Sequence, residues 1–392
     1  MFKLVIIYLI FSFNKISSNY FSRYLLMKSL ITTRITKVTQ ATKTLKKYKN
    51  IIWLVLGIII IISILIYNRK YISNFVSNKE VTTYPRPFVN LKDDTGKPLK
   101  IVLLSHPFTK DSSYEEYKEM TKNGYLVIGI TSYLEFPGIV SNPHDPLHKP
   151  THKAWTNYDY MEICKGWLHC FRNPDKYISP SLPRALISES DFSDYNRYKP
   201  DPKIPKEYDF LYVCLKDNDK CTDGWQAHNR NWKLAQKCLD IMCNKFKLKG
   251  LLVGRINCNM PVGCHQLVSA TDFMKHDKYL QCYQKSKFIF LPNVADASPR
   301  VLSEALCHDL RCLVNRDIVG GWKYVNKQTG EFFTDENDVE YAIQKLLQNY
   351  NSYTPREYFS QHYGKEKSGK KLKKFLEENF AVNLKDTKYV TP

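Results

Sequence analysis

The chain has 392 residues, 43% of them hydrophobic and 14% aromatic, with a formal net charge of +20. That much apolar side chain excludes a wholly disordered protein, and 15 Gly with 19 Pro exclude a collagen-like one. The charge invites a nucleic-acid partner, but residues 1–50 hold ten Lys and Arg and no Asp or Glu, which is half of the excess. No aromatic–basic repeat of an RNA-binding type follows in the rest, so no nucleic-acid partner is expected.

In chain order, residues 1–50 form a basic tail whose apolar stretch Leu4–Phe13 is too short to span a bilayer. Ile51–Tyr67 is an uncharged run of seventeen residues, dominated by Ile, with Trp53 and Tyr67 near its ends. At 1.5 Å per residue it reaches the short end of a transmembrane helix, and rings at both ends favour the interface. Lys43, Lys46, Lys47 and Lys49 make the upstream flank the more basic one. This places the N-terminus in the cytosol and the body across the membrane, as in a single-pass type II protein acting as a signal-anchor.

Residues 68–98 are polar and carry Tyr84-Pro85-Arg86-Pro87 and Asp93-Asp94-Thr95-Gly96, the signature of a stem or linker. A folded unit starts at Leu99 with a buried strand through Leu104, a helix over Glu115–Lys122, and a strand over Tyr125–Ile130. Strand–helix–strand with continuously apolar strands implies a parallel sheet covered on both faces. Residues 136–206, rich in Pro, Tyr, His and Trp, read as long loops with short helices. His144, His148 and His152 lie among three prolines that rule out a helical metal face.

A second unit starts with a strand over Tyr208–Val213. It continues with a helix over Asn231–Phe246, a strand over Gly250–Arg255, a helix over Phe273–Lys285, a strand over Phe288–Leu291, a helix over Pro299–Cys307 and a strand over Arg311–Val314. This alternation is again α/β. All eleven Cys fall between Cys164 and Cys312. An odd number leaves at least one thiol unpaired, and pairs such as Cys164/Cys170 or Cys258/Cys264 are among the candidates. There is no Asn-x-Ser/Thr sequon.

The most informative stretch is Phe288–Gly321. Ser298 followed by Pro299 is a good N-cap with Pro at the first helical position. Free amides and the helix dipole there favour an anion such as a diphosphate. Asp296 lies just before the helix and Glu304 in its second turn, with seven residues between them. Two bland alternatives compete: an exposed Arg300–Glu304 ion pair at i,i+4, and Asp296 as a mere helix cap.

The pattern resembles the carboxylate-x7-carboxylate signature of retaining glycosyltransferases of the GT-B fold, the group that includes family 4. Ala305-Leu306, Leu313-Val314-Asn315, Gly320-Gly321-Trp322, Thr329-Gly330-Glu331-Phe332-Phe333 and the Phe359–Phe380 tail match the same family, so the resemblance covers residues 208–380. It implies that Asp296 contacts the donor sugar and Glu304 the nucleotide ribose, and that the amides of Ala297 and Ser298, with Arg300, face the donor. Arg230, in Asn229-Arg230-Asn231-Trp232, stands for the family's diphosphate-binding cation, and Lys216 for the basic residue after the first strand. Two departures stand out: Asp where the family has Glu, and Ala297-Ser298-Pro299 in place of Gly-Phe-Gly. His106 ends the first strand of the first unit, where it can face the cleft. Asp217-Asn218-Asp219 resembles a metal-binding DxD, but the family needs no metal, and a loop is expected.

The expectation is therefore α/β of the GT-B kind, two Rossmann-like domains facing a cleft and preceded by a single transmembrane helix. Its boundaries are a basic tail (1–50), a membrane helix (51–67), a stem (68–98), an acceptor-side domain (99–206), a nucleotide-sugar domain (207–350) and a C-terminal helical tail (351–392). The expected function is a membrane-anchored retaining hexosyltransferase-like enzyme of the Golgi or ER, or of a host membrane if viral. It uses a nucleotide-sugar donor and a glycan, glycoprotein or lipid acceptor, without metal or cofactor. The alternative is a non-catalytic nucleotide-sugar or glycan binder that keeps the fold.

Overall fold

The computed structural model describes Met27, residues 84–138 and residues 158–392. The chain divides into two compact units, residues 1–80 and 81–392, and the second holds everything that follows. The expected membrane span at 51–67 and the His144–His152 segment lie outside the described residues. Among the described residues, no helix is long and apolar enough to cross a membrane.

The first lobe is a five-stranded sheet in the order β1-β2-β3-β4-β5. Its strands are β1 (Phe88–Lys92), β2 (Pro98–Leu104), β3 (Leu126–Ile130), β4 (Trp167–His169) and β5 (Arg184–Leu186). The strands β2 to β5 run parallel, and β1 is antiparallel to β2. Helix α1 (Asp111–Lys122) makes the β2–β3 crossover, and the short α2 (Tyr160–Ile163) precedes β4. The stem boundary at 98 is corrected here. Phe88 and Leu91 are buried core residues of β1, and the polar string after it is a hairpin turn in which the Asp93 carboxylate accepts from the Thr95 and Lys97 amides, both at 2.9 Å.

The second lobe is a six-stranded, wholly parallel sheet in the order β11-β10-β9-β6-β7-β8. Its strands are β6 (Tyr208–Val213), β7 (Gly250–Val253), β8 (Val268–Thr271), β9 (Ser286–Leu291), β10 (Arg311–Asn315) and β11 (Gly330–Phe333). Helices α3 (Trp225–Asn229) and α4 (Trp232–Asn244) follow β6, α5 (His276–Lys285) precedes β9, α6 (Arg300–Cys307) follows it, and α7 (Val339–Gln348) follows β11. Numbered from β6, this is the doubly wound order whose direction reverses between the first and fourth strands. Side chains such as Phe210, Tyr212, Phe288 and Phe290 fill one face, and Leu211, Ile289, Leu291 and Val314 the other. Each such buried side chain contributes about 1.5–3 kcal/mol, which is why these strands read as unbroken apolar runs.

The C-terminal segment is more than a tail. Helix α8 (Pro355–His362) packs on the second lobe through Phe359. Helix α9 (Lys365–Asn379) returns to the first, where Leu372, Phe375 and Leu376, with Leu384 and Val390, cover Leu91, Ile101, Leu103 and Ile128. Thr391 and Lys92 then exchange backbone hydrogen bonds of 2.8 and 2.9 Å. Cysteine pairing also differs from the candidates drawn from spacing. Cys221 bonds Cys258 and Cys243 bonds Cys264, while Cys164 and Cys170 are free and buried.

Candidate functional site

The reversal of strand order between β6 and β9 opens a crevice beyond their carboxyl ends, where doubly wound sheets bind ligands. Both loops that border it carry expected site residues. The loop after β9 runs from Pro292 to Pro299, and its Asp296 carboxylate forms an ion pair with the Arg230 guanidinium. Arg230 caps the carboxyl end of α3, and its own carbonyl accepts from the Tyr212 hydroxyl at 2.9 Å. Asp296 also accepts from Asn293 Nδ2 at 3.1 Å and from the Ser298 amide at 3.2 Å. The pair is only partly buried, with side-chain exposures of 23% for Arg230 and 13% for Asp296, so a ligand in the crevice can reach both.

Glu304 sits one turn further on, on the other side of the loop. It is buried, accepts from the Tyr283 hydroxyl at 3.2 Å, and lies 3.3 Å from His276 Nε2. Tyr279 donates to the Tyr283 hydroxyl at 2.8 Å, and burial pushes both phenols well above their usual pKa. The bland alternative, an Arg300–Glu304 ion pair, is not formed: Arg300 is exposed at the start of α6, and Glu304 Oε1 and Oε2 face His276 and Tyr283 of α5. Asp296 and Glu304 thus serve two separate clusters flanking one turn, rather than one shared point.

Other expectations are corrected. Ser298 is not the N-cap of α6. Pro299 holds that position, and the Ser298 hydroxyl bonds the amide and hydroxyl of Ser190 from the first lobe at 3.1 and 2.8 Å. Ala297 does not line an open site: it is 1% exposed and plugs the aromatic cluster of the first lobe around Phe108, Phe136 and Trp167. Lys216 is engaged elsewhere, paired with Asp219 at 3.2 Å and Asp272 at 4.0 Å. His106 is partly buried, with Nδ1 2.9 Å from the Pro107 carbonyl and its ring 6.3 Å from that of Tyr133. Tyr133 in turn lies 6.2 Å from Trp225 of α3, so His106 and Arg230 belong to opposite walls bridged by these rings.

The site loop is braced by a second loop. Val319 and Gly320 donate to the Val294 and Asp296 carbonyls at 2.9 and 2.8 Å. Gly320 approaches so closely that a Cβ there would stand 1.8 Å from the Ala297 carbonyl oxygen. The first lobe holds this brace: Arg172 donates to the Arg316 and Ile318 carbonyls and stacks 5.1 Å over Trp322, whose Nε1 donates to the Cys170 carbonyl at 2.7 Å.

Asp217, from the DxD-like string, is a structural group. Its carboxylate accepts from the Gln226 and Ala227 amides at the start of α3. Among the described residues, no group of three or more His, Cys, Asp or Glu is arranged to hold a metal. Sequence reasoning missed Asn293, Tyr283, His276 and Arg255. For Tyr283, the i,i+4 spacing with Tyr279 on a helix facing Glu304 was the available signal. For Arg255, it was a charged residue directly after an apolar strand.

No family model and no curated protein sequence matches this chain. Solved structures do. Sucrose-phosphate synthase from Thermosynechococcus elongatus aligns with a TM-score of 0.50 and 12% identity, over 69% of this chain and 72% of that one. The apo form of the lipopolysaccharide outer core galactosyltransferase WaaB aligns with a TM-score of 0.48 and 13% identity, over 72% and 76%. TarM aligns with a TM-score of 0.47 and 12% identity, over 68% of this chain but only 53% of its own, so the chain spans about half of TarM. The likeness to the synthase establishes the fold: two Rossmann-like lobes of the kind found in GT-B glycosyltransferases.

Proposed function

We propose that this protein is a glycosyltransferase that moves a sugar from a nucleotide-sugar donor to an acceptor hydroxyl of a glycan, glycoprotein or lipid, with retention of configuration. The observation that carries the proposal is the Arg230–Asp296 pair at the switch point of the second sheet. A cation and a carboxylate meet where such a sheet receives a nucleotide. The fold shared with sucrose-phosphate synthase supports it.

In this scheme the donor diphosphate lies against Arg230, Asp296 accepts from hydroxyls of the donor sugar, and Glu304 accepts from the ribose. The bond between the anomeric carbon and the diphosphate oxygen breaks, and its electron pair leaves with the nucleoside diphosphate. Arg230 stabilises the charge that grows there. The acceptor oxygen bonds the anomeric carbon from the same face, and its proton passes to the departing diphosphate oxygen. Because Arg230 supplies the positive charge, the scheme needs no metal or other cofactor. Exposed Arg300 and the partly buried, paired Lys216 are additional cations at the same end of the sheet.

Ile51–Tyr67 is proposed as a single-pass anchor of type II orientation, with the catalytic unit in an endomembrane lumen such as the Golgi or ER, or on a host membrane if the chain is viral. The two disulfides of the second lobe support an oxidising compartment. A second reading, a binder without turnover, is favoured by one feature: the Asp296 carboxylate is already engaged by Arg230.

The test uses the full-length protein in detergent with a panel of nucleotide sugars, following release of nucleoside diphosphate, with Glu304→Ala as control. Release with one donor, lost in the variant, supports the enzyme and names the nucleotide. Binding without release under varied acceptors supports the binder. Neither binding nor release leaves the fold alone.

A further inference from the structure

One buried cation next to the site is used by none of these steps. Arg255 follows β7 directly after Gly254 and is fully buried. Its Nε donates to Cys214 Sγ at 3.0 Å, its Nη2 faces Asp217 Oδ2 at 3.5 Å, and its guanidinium lies 4.6 Å over the Trp232 ring. Its Nη1 has no hydrogen-bond partner among the described residues. A buried guanidinium so incompletely satisfied is a poor way to stabilise a core, because an apolar side chain of similar volume often does as well or better.

What Arg255 does hold is Asp217, and Asp217 holds α3. The helix begins at Trp225 after Gly224, which has no side chain to cap it. The Asp217 carboxylate takes over that task, accepting from the Gln226 amide at 2.6 Å and the Ala227 amide at 3.0 Å. The approach is so close that a Cβ on Gly224 would stand 2.7 Å from Asp217 Cγ. Helix α3 is a little over one turn long, so its carboxyl end cannot move independently of its start. That end is Arg230, whose amide bonds the Gln226 carbonyl at 3.0 Å. The path Arg255–Asp217–α3–Arg230–Asp296 therefore runs through short contacts at every link except the first, a longer charge-assisted contact of 3.5 Å. A disulfide from Cys221 to Cys258 ties the same two loops together.

We propose that Arg255 is a positioning residue: through Asp217 and α3 it sets where the Arg230 guanidinium stands against Asp296. Its consequence for donor affinity rests on the glycosyltransferase reading, but the placement of Arg230 does not.

The experiment is a double-mutant cycle between Arg230→Met and Asp296→Asn, read by urea unfolding of the full-length protein in detergent. It is run in the wild-type background and again in Arg255→Met and Arg255→Lys. The coupling between residues 230 and 296 is expected to fall by at least half with Met at 255 and to be largely restored with Lys. The same proteins are titrated with UDP and with GDP, and the better-bound diphosphate is expected to weaken about tenfold in Arg255→Met. A folded Arg255→Met protein with undiminished coupling and unchanged diphosphate affinity overturns the proposal and makes Arg255 a packing residue. If Arg255→Met does not fold, Asp217→Asn removes the same link with the buried cation left in place, and intact 230–296 coupling there overturns it equally. If the wild type binds neither diphosphate, the glycosyltransferase reading falls, and the cycle still decides the placement of Arg230.

Discussion

Arg230 and Asp296 are 66 residues apart in the sequence and meet as an ion pair across the switch point of the second sheet. Each group is engaged by the other. A diphosphate entering from outside must therefore compete with a carboxylate for the cation that is to receive it, and that competition makes the pair testable.

Asp296→Asn removes the competing charge while keeping the size of the side chain. A free nucleoside diphosphate such as UDP is expected to bind about 3–10-fold tighter, corresponding to roughly 1 kcal/mol for a partly exposed pair. Turnover is expected to fall by about 100-fold, because the donor sugar loses a charged acceptor. Isothermal titration and initial rates measure the two effects separately. Weaker UDP binding in the variant would mean that Asp296 assists diphosphate recognition instead of opposing it.

Gly320→Ala places a methyl group where the Ala297 carbonyl oxygen already stands, 1.8 Å from the new carbon. The obstacle is backbone, so the brace between Gly320 and Asp296 must open. A loss of about 1–3 kcal/mol is expected, read as a lower thermal midpoint, together with a loss of activity greater than the fall in stability explains. A variant with a wild-type midpoint and rate would show that the two loops are not locked together.

Two buried histidines link stability to pH. Burial pushes His169 down to about 4, helped by the charges of Arg184 and Lys323. Burial likewise pushes His308 to about 4, against the pull of its hydrogen bond to the Glu304 carbonyl and aided by Lys206 and Arg356. The unfolded chain takes up these protons near the ordinary histidine value of about 6.5, whereas the folded protein resists until about 4. Stability is therefore complete above about pH 6.5 and is lost as the pH falls toward 4, by about 1–3 kcal/mol per histidine. Urea midpoints between pH 7.5 and 4.5 measure the slope, and His169→Asn with His308→Asn is expected to flatten it.

Reducing the protein tests the two cross-links. They close loops of 37 and 21 residues, and each is expected to contribute about 2–4 kcal/mol by restricting the unfolded chain. Dithiothreitol should lower the thermal midpoint. Peptide mapping without reduction should recover Cys221 with Cys258 and Cys243 with Cys264. Recovery of Cys258 with Cys264 instead would contradict the arrangement of both loops.

The second lobe was legible in the sequence because its strands are buried on both faces. Tyr208–Val213, Phe288–Leu291 and Arg311–Val314 each appear as apolar runs closed by turn residues; the first strand matches its run, and the other two extend it by two and one residues. Asp296 and Glu304 stood out through residue type and spacing and Arg230 through the family resemblance, without a hint that two of them would pair. Other features depend on distant partners. Strands β4 and β5 have three residues each and exist only through pairing, so the segment containing them looked like loop. Ser298 has every local property of a helix cap, but Ser190 of the other lobe claims its hydroxyl. Asp217 reads as part of a plain loop, because nothing local announces that it caps a helix beginning eight residues later.

The bridge between Lys92 and Thr391 has a topological consequence. The described fold begins and finishes on one sheet, which makes the second lobe an insertion into the first, entered and left through two neighbouring strands of chain. Those two passages are stitched to each other, since Asp191 on the outgoing one accepts from the Gly364 amide and the Ser368 hydroxyl on the returning one, both at 2.8 Å. The two lobes are thereby joined by a hydrogen-bonded double passage of chain instead of a single covalent crossing.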